Sequence, residues 1–95
     1  MDYISVAWIH NNSSDPIRLV SELDDERFER RKLEFFADGT VGAASGDFED
    51  AGTRLGVAAV PPLSEINEDP QFEGVELTQA EFEGLWQKFA RREAR

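Results

Sequence analysis

Ninety-five residues are enough for one domain, with seven Phe, two Trp and one Tyr to build its core. The chain has no cysteine, so a disulfide framework and a thiolate zinc site are excluded. Its net charge of −10 is uneven: twelve acids against Arg54 alone between residues 33 and 87, a near-balanced start before them, and a basic end over residues 88–95. The acidic block repels nucleic acid and anionic membranes and favours a basic protein partner. No apolar run is long enough for a transmembrane helix, and the acidic, alternating N-terminus does not read as a signal peptide. A cytoplasmic protein is expected.

Taken in chain order, Tyr3 to His10 alternates as a half-buried strand, Ile4, Val6 and Trp8 on one side and Ser5 and Ala7 on the other. Asn11 to Pro16 is a loop. Ile17 to Leu23 is a second strand, close enough behind the first to pair antiparallel. Asp24-Asp25-Glu26 is a polar turn. Phe28 to Ala37 predicts a third strand whose phase slips, so a β-bulge is expected near Arg31-Lys32. Asp38-Gly39 signals a two-residue hairpin turn into a return strand, Thr40 to Ser45. The small Gly42, Ala43 and Ala44 leave room there for something large.

Gly46 to Thr53 reads as a polar loop, and Arg54 to Val60 as a short extended or edge segment. Pro62 opens a short helix near 62–69, which Pro70 ends. Glu68 to Val75 is expected to be a linker. The final helix has the plainest signals. Thr78 and Glu81 form a capping box, with Leu77 and Phe82 spaced as a hydrophobic staple. Phe82, Leu85, Trp86 and Phe89 follow along one face, and Lys88, Arg91 and Arg92 stand where the helix dipole favours bases. The expected fold is α+β: a single domain over residues 1–95, with an antiparallel sheet of about four strands packed by a C-terminal amphipathic helix.

Catalytic chemistry is hard to assemble from these residues. His10 is the sole histidine, and no nucleophile elbow or phosphate-binding glycine loop accompanies it. Asp47 to Ala58 partly follows a calcium loop, but Ala51 and Ala58 occupy positions that need oxygen ligands. No catalytic residue, metal ligand or cofactor is nominated. The basic cluster Arg27, Arg30, Arg31 and Lys32 is expected to pair across strands with acids such as Glu22 and Glu34.

Several stretches together resemble a family of small, uncharacterised, mainly bacterial domains of unknown function. They are Trp8-Ile9-His10-Asn11, Ser21-Glu22-Leu23-Asp24, Arg31-Lys32-Leu33-Glu34, Asp38-Gly39 with Val41-Gly42, Thr53-Arg54-Leu55-Gly56 and Pro61-Pro62-Leu63. Arg30 and Ala43 depart from the family's usual apolar and aromatic choices. The resemblance implies no activity; by analogy of form it suggests an immunity-type or regulatory interaction module.

Two functional readings follow. The first is a protein-binding module, monomer or homodimer, that meets a basic partner through Glu65, Glu68, Asp69, Glu73 and Glu76. The second is a small-molecule-binding or catalytic domain with a pocket between sheet and helix, drawing on Trp8, His10 and Arg31.

Overall fold

The alternating N-terminal segment becomes β1 (Asp2–Trp8), followed by β2 (Arg18–Leu23), β3 (Glu29–Phe35), β4 (Val41–Ser45) and the two-residue β5 (Glu49–Asp50). A short helix α1 (Leu63–Ile66), a strand β6 (Phe72–Glu76) and the helix α2 (Gln79–Phe89) complete the chain. These are the elements of a computed structural model that describes residues 1–90. The basic residues Arg91, Arg92 and Arg95 lie outside the described residues. No described helix is long and apolar enough to cross a membrane.

The strands form one antiparallel sheet in the order β5-β4-β3-β2-β1-β6. It therefore has six strands rather than about four. The two additions are β5, within the expected polar loop, and β6, which takes in the end of the expected linker and Glu76. Residues 54–60, expected to be extended or an edge strand, stay outside the sheet and begin a crossover that carries the chain from the β5 edge to the β6 edge. The first strand consequently lies inside the sheet, paired on both sides.

The phase slip in the third strand is real. Glu22 pairs with Arg31 but Leu23 pairs with Glu29, so Arg30 is the extra residue, one place before the predicted bulge. Beyond it, Arg31, Leu33 and Phe35 share one face. The Asp38-Gly39 turn is also one residue longer than expected. Phe36 N–H donates to Thr40 O and Gly39 N–H to Phe36 O, which makes a three-residue loop with Gly39 at φ 92°. Only glycine holds that φ without strain.

Both faces of the sheet carry packed apolar clusters. On the helix face, Tyr3, Val20, Leu33 and Ala43 pack against Phe82 of α2, surrounded by Phe35, Val41, Phe48, Leu85, Trp86 and Phe89. Full burial of Phe82 alone contributes about 2–3 kcal/mol. The helix seats there because its capping box forms: Glu81 N–H donates to Thr78 Oγ1 at 3.1 Å, and Thr78 N–H to Glu81 Oε1 at 2.8 Å. On the opposite, crossover face, Val60, Leu63, Ile66 and Phe72 pack on Ile4, Val6 and Leu23.

The small residues of β4 serve both faces. Ala43 lies in the helix-face core, whereas Gly42 meets Thr53 of the crossover so closely that a Cβ would overlap the Thr53 hydroxyl. That hydroxyl donates to Glu34 Oε1 at 2.8 Å. Glu29 Oε1 accepts Gly56 N–H at 2.6 Å, and Lys32 lies within 3.4 Å of Glu29 and 3.7 Å of Glu34. Arg27 anchors the far end, donating to Val60 O at 2.7 Å and Pro61 O at 2.8 Å. It does so from φ 69°, an uncommon conformation for a non-glycine residue.

Candidate functional site

The acids nominated from sequence gather along the β6–α1 margin. Pro62 starts α1 with extended dihedrals and no side-chain cap, and Asn67 ends it. The Asn67 side chain then binds α1 to β6: its Oδ1 accepts Gly74 N–H at 2.6 Å and its Nδ2 donates to Gly74 O at 3.0 Å. In the β1–β6 register Gly74 turns these groups outward, so one amide side chain does what a neighbouring strand would do. Asp69 shapes the entry to β6: its carboxylate accepts Gln71 N–H at 2.9 Å and its carbonyl accepts Phe72 N–H at 3.0 Å.

Glu65 and Glu68 reach this margin from α1 and its end, Glu73 and Glu76 from opposite faces of β6, and all are exposed. No described base pairs with Glu65, Glu68, Asp69, Glu73 or Glu76. The described bases are engaged elsewhere. Arg27 pairs with Asp2, Arg30 with Asp24, Arg31 with Glu22 and Glu83, Lys32 with Glu29 and Glu34, and Arg54 with Glu49. Arg18 donates to Ser5 Oγ at 2.8 Å and stacks over Phe35, while Lys88 lies over Phe89.

The three residues nominated for a pocket are not brought together. Trp8 lies on the crossover face beside Phe72, ring centroids 5.8 Å apart, and His10 meets its indole edge-on at 4.6 Å. Arg31 points to the helix face, over the rings of Phe82 and Trp86. The space between sheet and α2 is filled by Phe35, Phe48, Leu85, Trp86 and Phe89.

Both His10 nitrogens have local work. Nδ1 accepts Asn12 N–H at 3.0 Å, which assigns the proton to Nε2, 2.8 Å from Pro16 O. The ring thereby ties the loop after β1 to the start of β2. The residues of the partial calcium loop are likewise committed to structure: Glu49 and Asp50 form β5, and Ala51 and Gly52 turn with positive φ.

Arg31 is the centre of a network only partly visible in the sequence. Its guanidinium donates to both oxygens of Glu22, at 2.7 and 2.8 Å, and to both of Glu83, at 3.1 and 2.6 Å. The cross-strand pair with Glu22 follows from register. Glu83 comes from α2, and no local pattern connects it to β3. Hydrogen bonds from Arg31 hold the Glu22 carboxyl below the usual carboxylate range, although burial opposes them. Burial, reinforced by Glu22, raises the Tyr3 phenol. Arg31 thus sits in an ion cluster stacked on aromatic rings, with four of its N–H groups given to Glu22 and Glu83.

Comparison with protein families matches residues 2–91 to DUF6881, a domain of unknown function. The chain belongs to this family. Searches of curated proteins and of solved structures find no match. The stretches singled out within the sequence take structural positions in this fold. Thr53, Arg54 and Gly56 meet Lys32, Glu34 and Glu29, and Gly42 lies under Thr53. Pro61 is held by Arg27, and Leu63 packs on the crossover-face core.

Proposed function

We propose that this domain is a protein-binding module that receives a basic protein partner on its β6–α1 margin. The observation that carries this reading is the grouping of five exposed acids without a described counter-ion on one margin. The described bases are occupied over β1 to β5 and α2, while Glu65, Glu68, Asp69, Glu73 and Glu76 have no described counter-ion. A one-signed margin steers an oppositely charged partner and discriminates against acidic ones. Nucleic acid and anionic membranes are disfavoured by the same field. An immunity-type or regulatory role suits such a module, and we place it in the cytoplasm.

The test is capture from native lysate with the wild-type chain and with Glu65→Lys, Glu68→Lys, Glu73→Lys and Glu76→Lys combined. Basic proteins retained by wild type at low salt are expected to be lost from the variant, with association slowed by on the order of tenfold or more. A partner held equally well by the variant at high salt would remove the margin from consideration.

A further inference from the structure

Beside the acidic margin, the crossover face carries an incompletely covered apolar row. Phe72 and Trp8 stand side by side across β6 and β1, and Ile17, the residue before β2, joins Trp8 through its backbone. Trp8 pairs with Phe72 in register, and its backbone N–H donates to Ile17 O at 2.9 Å. The crossover residues Val60, Leu63 and Ile66 cover the Ile4, Val6 and Leu23 part of this face. Ile17 remains 41% exposed. The Trp8 indole Nε1 is shut off from solvent yet has no hydrogen-bond partner among the described residues.

The acids nearest the row along the chain are Asp69 and Asp15. Asp69 adjoins Phe72 through its carbonyl, and Asp15 stands two residues before Ile17, whereas Arg18 turns to the other face against Phe35. Asp69 also belongs to the acidic margin, so row and margin are continuous.

We infer that this row is the apolar half of the partner site. A basic segment of a protein partner places one aromatic or branched aliphatic side chain against Ile17 and Trp8, while its Lys or Arg side chains meet the margin. Charge complementarity selects this occupant: a second copy of a chain with net charge −10 would bring its own acids to an acidic rim. Central aromatic and aliphatic anchors ringed by charge are the usual division of work in such interfaces. The inference rests on the acidic-margin reading above.

Titration of the full chain, followed by amide correlation spectra, separates the two readings. The probes are the peptides acetyl-Lys-Lys-Phe-Lys-Lys-amide and acetyl-Lys-Lys-Ser-Lys-Lys-amide. Both are expected to shift the Glu73 and Glu76 amides. The Phe peptide alone is expected to shift the Trp8 indole N–H and the Ile17 amide, and to bind roughly fivefold more tightly. Ile17→Ser, at a position exposed enough to leave the fold intact, should abolish that advantage and keep the Glu73 and Glu76 shifts. Equal affinities with no movement at Trp8 would overturn the row and leave the margin reading standing. No shift with either peptide would overturn both. Trp8 shifts that grow with protein concentration before any peptide is added would make a second copy the occupant, against this inference.

Discussion

The guanidinium of Arg31 faces two carboxylates and lies 4.8 and 5.2 Å from the centroids of the Phe82 and Trp86 rings. Glu22, with a side chain only 10% exposed, depends on it for counter-charge and hydrogen bonds. Removing one partner of such a pair strands the other. Arg31→Gln should therefore lower stability at neutral pH by about 2–3 kcal/mol, read from urea unfolding. The same variant has a pH signature. The folded-state pKa of Glu22 is depressed, so its stabilisation is complete above the ordinary carboxylate pKa of about 4.3 and is lost as pH falls through the folded value. The gap between wild type and Arg31→Gln should accordingly narrow from pH 7 toward about pH 3. A constant gap would mean that Arg31 acts by packing alone. The Arg31–Glu22 half of this cluster was legible as a cross-strand pair; Glu83 was not, because only docking of α2 puts it there.

Among the elements, β6 departs most from expectation. Phe72-Glu73-Gly74-Val75-Glu76 holds a glycine and two acids, a poor strand by composition. It becomes one because the crossover delivers it to the open side of β1, where Ile9 N–H donates to Gln71 O and Leu77 N–H to Tyr3 O. An exposed strand edge invites further pairing, and Asn67 occupies its middle. Gly74 also lets α1 pack close, since a Cβ there would come within 2.6 Å of Leu63 Cδ2 unless that side chain turned aside. Asn67→Ala should cost about 1 kcal/mol and free both outward groups of Gly74. Sedimentation velocity should then show concentration-dependent self-association absent from wild type; a variant that stays as monodisperse as wild type would argue that α1 itself blocks the edge. At the opposite edge, β5 is blunted by its two-residue length.

At the scale of the molecule, charge segregation sets the response to salt. Most of the ion pairs are exposed or long and contribute little, whereas the Arg31 cluster is sheltered and weakly screened. The larger salt-sensitive effect is repulsion among the margin acids and across a chain of net charge −10. Raising sodium chloride from about 20 to about 300 mM should therefore raise Tm by a few degrees, measured by calorimetry. A falling Tm would mean that ion pairs outweigh repulsion. The acidity of residues 33–87 was plain from sequence. That five of its acids without a described counter-ion share one margin was not, because only the fold brings α1 beside β6.

What the sequence determined by itself was whatever depends on neighbours along the chain. The capping box of Thr78 and Glu81, the apolar stripe of α2, the Gly39 turn and the bulge before Arg31 all arise from spacings of a few residues. Tertiary structure decided the rest. Strand edges need a partner to complete their hydrogen bonds, so β5 and β6 exist only beside β4 and β1. Period-two alternation says that Trp8 and Tyr3 face opposite ways but not which element covers each side. Only α2 and the crossover, arriving from distant sequence, brought Glu83 to Arg31 and Phe72 beside Trp8.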